Sequence, residues 1–469
     1  MKGNVGTSLA KAAQVAALGC LLVYSTLGLA RPSGDTEFSG RWEVTTTYPG
    51  GSFVSGLDLR SSPKSGGYEG KSGYLVPDSS WYHYIGEVHK DALHLRILGS
   101  DEKSEIGSLV LKIDKGTLVG TGAVHGVSIA ARGNRPLKRP AGSARIHDFS
   151  PQIFYRGFSG ANPPALHIFS GDTVRTQTVD ADGGGINSSQ HTLPGNPQTG
   201  PFYIEGAMIG DTIAVHFIKI RPNRDTAFQY RGGLDPRVLP AGYEQAPPAE
   251  NWSDVWNLDR IHETATPANP SESIKGLVVK LKPMLGCVAV APYWNQATTT
   301  SDLGPFGGNL DYNQVTEGVT VYLPVYQAGA LLSVGDGHAA QGDGEITGQG
   351  LETSMDVEFS VDLVPSQLLD QVWAENAESI MVSGVGGSLS DALQVATAGL
   401  SNWLKSYYSL NAAEIATVIA NSIHYDIAEV VDPRVHVVAR IPKSVLAQLP
   451  KPAAPTFVFC QAGWGCAPN

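Results

Sequence analysis

Positive charge is scarce in this sequence. Lysine and arginine together number 33, against 44 aspartate and glutamate residues, which gives a formal net charge of −11. Nucleic-acid binding depends on an excess of basic side chains that contact phosphates, and no basic patch interleaved with aromatic residues occurs. The composition therefore predicts no nucleic-acid partner.

Apolar and charged residues are both limited in number. A hydrophobic content of 42% is too low for a protein with several membrane spans, and only 16% of the residues are charged. Glycine and proline, with 54 and 30 residues, are abundant. Many strands joined by turns produce this balance better than helices do. A chain of 469 residues is long enough for two or three domains.

Two familiar catalytic motifs are missing. No Gly-x-Ser-x-Gly nucleophile elbow occurs. The run Gly183-Gly184-Gly185 lacks the strand-to-helix setting and the lysine of a phosphate-binding loop. These absences argue against an elbow-type serine hydrolase and against a nucleotide site.

Cysteine is rare, with four residues in the chain. Cys287 lies in an apolar run, and we expect a buried small residue rather than a nucleophile, because apolar surroundings keep a thiol protonated. Cys460 and Cys466 flank a Gly-rich spacer that would suit a small disulfide loop in an oxidising compartment. A zinc clip there is the weaker alternative, since no second pair of ligands lies nearby.

The N-terminus predicts export. Lys2 and Lys11 accompany an apolar run over residues 12–30, and Gly28-Leu29-Ala30 places small residues where a signal peptidase cuts. Residues 1–30 are therefore interpreted as the signal peptide of a periplasmic or extracellular protein, with no stable membrane insertion after its removal. A membrane anchor and a lipoprotein modified at Cys20 are the alternatives.

Turn signals divide the rest of the chain into domains. Over residues 38–132, short alternating runs separated by Gly, Asp and Ser predict an all-β accessory domain, either a meander, a sandwich or a small barrel. The basic, Pro-containing segment 133–143 is interpreted as a linker. A catalytic domain over residues 144–450 and a tail over residues 451–469 complete the division.

The catalytic domain is predicted to be mostly β. Residues 222–273 are rich in Pro, Asn and Asp and predict a long irregular excursion that could wall a pocket. Two helices follow near the end, the first capped by Ser388 and Asp391 and the second starting at Asn411. The buried stripe of the first helix is predicted to contain Leu389, Leu393, Ala396, Leu400, Leu404 and Tyr407. The fold class is thus α+β, mostly β, with a C-terminal helical pair covering a sheet.

Residues 335–345, GDGHAAQGDGE, hold the densest group of chemically active side chains. Alternating, strand-like runs flank this loop at residues 319–325 and 355–363. A loop with this many potential metal ligands between two strands is where a functional site is expected on a rigid scaffold.

This loop, together with Gly307-Gly308-Asn309-Leu310-Asp311, closely resembles the signature of the acetamidase/formamidase family of amide hydrolases. The segments NPQTGPFYIEGA, from Asn196, and PMLGCVAVAP, from Pro283, agree with the same family, and the resemblance covers roughly residues 146–445. It implies hydrolysis of small linear amides, such as formamide and acetamide, to a carboxylate and ammonia. It also implies a homo-oligomer.

Amide hydrolysis needs a nucleophile, stabilisation of the oxyanion and a proton for the departing ammonia. A divalent metal could supply the first two, with zinc the expected ion and calcium the alternative. Asp311, Asp180 and Glu205 stand in segments similar to the family's motifs. The predicted metal ligands are Asp180, Asp311 and His338, with Asp343 in reserve, and the predicted catalytic residues are Glu205, Glu345 and Asp336, of which the two glutamates would transfer protons.

Two other functions remain open at this point. One is a secreted β-rich binding protein whose metal site is not catalytic. The other is a hydrolase of a larger or cyclic amide, in which the accessory domain enlarges the pocket.

Overall fold

The computed structural model describes residues 37–62, 67–73, 81–99, 101–140, 142–230, 233–245, 254–294, 296–365, 367 and 369–450. The predicted signal peptide and the predicted C-terminal disulfide loop lie outside these residues. No helix in the described part of the chain is both long and apolar enough to cross a membrane. The domain boundaries given above stay predictions.

Eight sequential antiparallel strands form a closed barrel, in which the last strand pairs back with the first. Of the meander, sandwich and small barrel expected for residues 38–132, the structure therefore contains the barrel. Its interior is filled by large buried side chains, among them Trp42, Leu59, Leu93 and Leu111. The strands are β1 Gly40–Tyr48, β2 Gly51–Ser61, β3 Tyr68–Gly73, β4 Trp81–His89, β5 Ala92–Leu98, β6 Glu105–Asp114, β7 Thr117–Val124 and β8 Val127–Asn134.

The remaining strands belong to four further sheets. In chain order they are β9 Ile146–Asp148, β10 Phe154–Tyr155, β11 Gly157–Ser159, β12 Leu166–Ile168, β13 Thr173–Gln177, β14 Gln198–Ile204, β15 Thr212–Pro222, β16 Thr226–Phe228, β17 Val255–Asp259, β18 Thr264–Pro267, β19 Val279–Lys280, β20 Met284–Ala289, β21 Ala297–Thr299, β22 Leu303–Gly304, β23 Gly307–Asn309, β24 Thr320–Pro324, β25 Leu332–His338, β26 Met355–Val364, β27 Trp373–Glu375, β28 Ser379–Gly386, β29 His424–Glu429 and β30 Val435–Pro442.

Two large sheets face each other and enclose the main core. One runs in the order β29-β30-β28-β27-β24-β15-β26-β13-β9, and the other in the order β10-β14-β25-β20-β23-β22, with β12 added beside β14. Strand β26 buries every second residue, as its alternating sequence predicts. Phe359 on that strand meets Phe202 on β14 with ring centroids 5.3 Å apart, so the two inner faces pack as in a sandwich.

A smaller sheet, β16-β17-β18-β19, is built largely from residues 222–273. The expectation of an irregular excursion in that segment was therefore wrong for these residues. The strands are only three to five residues long up to Pro267, and runs this short carry too few alternations to register as a periodic pattern.

The helical pair lies where the sequence places it, over β28 and β30. Helix α1 (Leu389–Tyr408) begins after Ser388, whose side chain accepts a hydrogen bond from the Asp391 amide. Helix α2 (Ala412–Ala420) begins with a complete capping box of Asn411 and Glu414. A short third helix, α3 (Lys443–Leu446), follows β30.

One detail of the predicted stripe on α1 is wrong. Leu389 and Leu393 are exposed, whereas Ala392 is fully buried. The helix crosses β28 at Gly384, where an added Cβ would lie 2.6 Å from the Cβ of Ala396. Such a close approach leaves space for alanine rather than leucine against the strand, so the buried face begins at Ala392.

Candidate metal centre

Strands β20, β23 and β25 of the sheet β10-β14-β25-β20-β23-β22 bring Asp311, Asp336 and His338 together. β20 lies between β23 and β25 and pairs with both. Asp336 and His338 are two residues apart on β25, and alternation along a strand places their side chains on one face. Asp311 follows β23 directly. The register of these strands thus assembles residues that are far apart in the sequence.

Five titratable side chains form a buried carboxylate–histidine cluster. The Nε2 atom of His338 lies 3.0 Å from Oε1 of Glu352 and 3.5 Å from Oδ1 of Asp336. Its Nδ1 atom lies 3.9 Å from Oδ1 of Asp311. The exposed fractions of the members are Asp311 0%, Asp336 3%, His338 1%, Glu345 6% and Glu352 2%.

The potential ligand atoms of the cluster form two overlapping groups. One group consists of Asp311, Asp336 and His338, and the other of His338, Glu345 and Glu352. Within each group the ligand atoms lie within 4.8 Å of one another. Both groups therefore have the dimensions of a metal-binding site.

Three members of the cluster have a backbone conformation that L-residues rarely adopt. The φ angles of Asp311, Asp336 and Glu345 are 39°, 58° and 48°. A non-glycine residue in this region costs on the order of 1–3 kcal/mol, and such residues concentrate at functional sites. The strain argues that these carboxylates are held in place for a purpose other than stability.

Gln341 fixes the protonation of the His338 ring. The Gln341 amide nitrogen donates to the carbonyl oxygen of Asp311 at 2.6 Å, so the amide oxygen is the atom that faces Nδ1 of His338 at 2.8 Å. Nδ1 must then carry a proton, and Nε2 is the ring nitrogen that faces Asp336 and Glu352. An imidazole oriented by a hydrogen bond at its other nitrogen is the usual arrangement for a metal ligand.

Two asparagines support the carboxylates from behind. Asn196 donates to Oδ2 of Asp336 at 3.0 Å and to Oδ1 of Asn309 at 2.9 Å. Asn309 in turn donates to Asp311 and to Asp432. These contacts give physical roles to the NPQTG and GGN segments, because they orient the two aspartates that flank His338.

The electrostatics of the cluster favour proton retention. Burial, together with neighbouring carboxylates, holds the pKa values of Asp311 and Glu345 well above their usual range. Burial also raises the pKa of Glu352 to about 7. For His338 burial alone would lower the pKa, but Glu352 and Asp336 outweigh it and hold the pKa well above its usual range. A bound cation would take the place of such protons.

The residues present fit a divalent metal ion. Among the described residues, Oδ1 of Asp311 and Oε2 of Glu352 are buried and have no hydrogen-bond partner. Unsatisfied buried polar atoms are rare in native proteins, and a bound ion is one partner that would satisfy them. Carboxylate oxygen and imidazole nitrogen are, in addition, zinc-type donors.

Of the ligands expected from the sequence, Asp311 and His338 lie in the cluster, whereas Asp180 and Asp343 belong to neither donor group. Asp180 is buried, but its Oδ2 atom forms an ion pair with Arg224 at 2.6 Å. Asp343 is exposed and accepts a hydrogen bond from Asn313 at 2.7 Å. Their role as ligands stays a prediction.

Of the expected catalytic residues, Asp336 and Glu345 lie in the cluster and Glu205 does not. Glu205 pairs with His167 at 2.7 Å, and burial, together with the charge of Glu205, raises the pKa of Glu43 on the barrel. The proton-transfer role of Glu205 stays a prediction.

Sequence reasoning missed Glu352. It joins the cluster through a single β-bridge to His338, fourteen positions earlier in the chain. No local pattern distinguishes this glutamate from Glu358 on the following strand. Only the folded loop shows that it faces the histidine.

Cys287 is buried and unbonded, as expected. Burial, Asp336 and Asp311 raise the pKa of its thiol well above the usual range. Its sulfur donates to Oδ1 of Asn309 at 2.8 Å, so this residue packs behind the cluster as a protonated thiol.

A cavity of about 1240 Å³ lies beside the cluster. Lys219 of β15, Trp256 of β17 and Lys280 of β19 contribute to its walls, as does the loop that follows β25. Of the five cluster residues, only Glu345 lines this cavity. Glu345 is therefore the point at which a molecule in the cavity would meet the cluster.

Comparisons with known proteins show which family this chain resembles. Residues 295–413 match the model of the acetamidase/formamidase family. A formamidase of Methylophilus methylotrophus is 26% identical over 240 residues, which is 39% of this chain and 57% of the relative. The chain thus spans less than two thirds of the curated relatives it matches at this level.

Solved structures match over a longer range. A recombinant protein of Thermoanaerobacter tengcongensis, named as a predicted acetamidase/formamidase, superposes with a TM-score of 0.58 and 28% identity. The match covers 66% of this chain and 99% of that chain. An acetamidase of Yersinia enterocolitica superposes with a TM-score of 0.56 and 28% identity, over 66% of this chain and 95% of that one.

Proposed function

Because this chain belongs to the acetamidase/formamidase family, we propose that it hydrolyses the C–N bond of small linear amides to a carboxylate and ammonia. The observation that carries the proposal is the buried cluster, whose unpartnered ligand atoms adjoin a cavity that Glu345 lines. The names and matched segments of the relatives supply the reaction class.

A divalent metal ion is part of the proposal. His338, through Nε2, and the carboxylates of Asp311, Asp336 and Glu352 are the residues that would hold it. We propose zinc rather than calcium because an imidazole nitrogen is a zinc-type ligand, whereas calcium prefers oxygen ligands alone. When bound, such an ion polarises a carbonyl and lowers the pKa of water to about 7.

Glu345 is assigned the proton transfer. Hydrolysis adds water across the amide, the C–N bond breaks, and the departing nitrogen must gain a proton. Glu345 can keep a proton at neutral pH because burial and neighbouring charges raise its pKa. It also borders the cavity, so its carboxyl can donate that proton to the leaving nitrogen.

The surrounding residues orient the metal-binding side chains. Gln341 keeps the proton of His338 on Nδ1, while Asn196 and Asn309 hold Asp336 and Asp311. A reaction centre held in this way loses little entropy when substrate binds, which is a recognised source of rate enhancement.

One observation favours a second candidate substrate class. The cavity, at about 1240 Å³, exceeds the range of about 300–1,000 Å³ that is usual for drug-sized ligands. Formamide and acetamide would fill only a small part of it. A larger or cyclic amide is therefore the alternative substrate for the same site.

The test is ammonia release from a series of amides, from formamide and acetamide to bulkier and cyclic ones, with purified protein of measured metal content. His338→Ala and Asp311→Ala should abolish turnover. His89→Ala, at an exposed position on the barrel, should leave turnover unchanged. Turnover that survives both cluster substitutions would refute the site, and a metal-loaded wild type that is inert on every amide would refute the function.

A further inference from the structure

The cavity beside the cluster carries basic side chains that the protein does not use itself. Five basic residues line it, in a chain whose formal net charge is −11. Three of them form ion pairs, which join Lys219 to Asp356, Arg221 to Glu317 and Arg260 to Asp225. In the part of the chain that the structure describes, the other two, Lys280 and Lys282, form no ion pair. We refer to these two residues as the lysine pair.

The lysine pair presents both side chains on one face of an extended segment. Lys280 ends β19, and both lysines are exposed, whereas Leu281 between them is buried. Side chains alternate along extended backbone, so the two lysines lie on the same side, with Cα atoms about 7 Å apart. The amide nitrogen of Lys282 donates to the carbonyl oxygen of Ala339 at 2.9 Å, and Ala339 directly follows His338. The pair therefore lies next to the segment that carries the cluster.

The carboxylates nearest to Lys282 do not neutralise it. Burial lowers the pKa of Lys282, and the charges of Asp343 and Asp426 act in the opposite direction without forming an ion pair. Asp426 has a cation of its own, because Arg440 lies 3.1 Å from it. Asp343 thus acts on Lys282 only at longer range.

Glu263 is the remaining carboxylate of the cavity wall outside the cluster. Its backbone oxygen accepts a hydrogen bond from the amide of Leu281 at 2.8 Å. The pKa of Arg221 is raised first by a hydrogen bond to Glu317 and, in addition, by the charge of Glu263. Glu263 therefore acts on a different basic residue, and the lysine pair keeps positive charge toward the cavity.

We propose that the cavity binds amides that carry a carboxylate, with Lys280 and Lys282 holding the carboxylate and the amide group placed at Glu345. The inference rests on the proposed function, since it names the substrate class of the same site. Hydrolysis of such a monoamide adds water across the amide, breaks the C–N bond and yields a dicarboxylate and ammonia.

This substrate class accounts for the size of the cavity as well as its charge. A formamide or acetamide molecule at Glu345 would leave the lysine pair without a contact in a cavity of about 1240 Å³. An amide with a terminal carboxylate reaches both ends of the site. Charge-assisted hydrogen bonds from the two ammonium groups would then favour it over a neutral amide of the same length.

The experiment measures binding by calorimetry with probes that have no C–N bond to break. Levulinate is the methyl ketone that corresponds to the monoamide of succinic acid, and methyl propyl ketone is its neutral counterpart. Wild type should bind levulinate about 10- to 100-fold more tightly than methyl propyl ketone. The double variant Lys280→Met, Lys282→Met should lose this preference. Lys275→Met, at an exposed position that pairs with Glu272 outside the cavity, should keep it.

Either of two results would overturn the proposal. One is equal affinity of wild type for the two ketones, and the other is a preference for levulinate that persists in the double variant. Circular dichroism identifies a double variant that fails to fold, and the wild-type comparison then decides alone. Ammonia release is assayed separately with the monoamide of succinic acid, for which the double variant should raise KM more than it lowers kcat. A preference for levulinate without turnover of any amide would contradict the proposed function but not the carboxylate-binding role of the lysine pair.

Discussion

Replacing Gly286 with alanine is expected to disable the metal centre without unfolding the protein. Gly286 lies on β20, between the strands that supply Asp311 and Asp336. A Cβ at this position would lie 2.6 Å from Oδ2 of Asp336 and closer still to Oδ1 of Asp311. Real Cβ atoms essentially never approach within 3.0 Å, so Asp336 would have to move by at least about 0.4 Å, and Asp311 by more.

The expected magnitude follows from the cost of overpacking. Forcing an extra methyl group into a well-packed interior costs about 1–3 kcal/mol. If the strain falls on the metal-bound arrangement, the dissociation constant for the ion rises about 5- to 150-fold. Ligand displacements of several tenths of an ångström also exceed the tolerance of about 0.2 Å in metal–ligand distances.

The assay compares zinc affinity, ammonia release and melting temperature in Gly286→Ala and in Gly276→Ala. Gly276 is the matched control because an added Cβ there would meet nothing within 4 Å. Zinc affinity and turnover should fall in the first variant and stay at wild-type levels in the second. Wild-type zinc binding and turnover in Gly286→Ala would refute the placement of the ion beside Asp311 and Asp336.

Three further outcomes are expected. Asp180→Asn should lower the unfolding free energy by about 3–5 kcal/mol, because it leaves the buried Arg224 without its partner, while zinc stoichiometry stays unchanged; a lost ion would instead show that Asp180 is a ligand. Asn196→Ala should weaken zinc binding about 10- to 100-fold in a chelator competition, as loss of a ligand-orienting hydrogen bond does, and unchanged affinity would count against its orienting role. Burial lowers the pKa of His436 to about 4, below about 6.5 for an unfolded histidine, so its stabilising contribution is complete above pH 6.5 and is lost as the pH falls to 4. Relative to His436→Gln, the free energy of unfolding of wild type should therefore fall by up to about 3 kcal/mol between pH 7 and pH 4 in denaturant titrations. The control His424→Gln, at an exposed position, should differ from wild type by the same amount at both pH values. A pH-independent difference between His436→Gln and wild type would contradict the assignment.

Much of the fold could be predicted from the sequence because its signals are local. The alternation in β26 depends on neighbouring residues, and so do the caps of α1 and α2, and all three formed as predicted. The exposed positions of Leu389 and Leu393 were not predictable in this way. They depend on how closely the helix approaches a glycine of a strand, which is a property of the packed structure.

The candidate site likewise has one part that local sequence signals predicted and another that depends on the packed structure. The sequence by itself identified the segment around His338, because its ligand-rich composition lies within a few residues and is similar to a family signature; that Asp336 and His338 lie on a strand, β25, rather than in a loop was visible only in the structure. Tertiary structure alone decided which other carboxylates lie beside His338. Glu352 does so because its backbone forms a β-bridge with His338. Asp180 instead forms an ion pair with Arg224, and Glu205 pairs with His167. The physical reason is that a metal centre depends on distances of a few ångströms between side chains, and strand register, rather than separation along the chain, sets those distances.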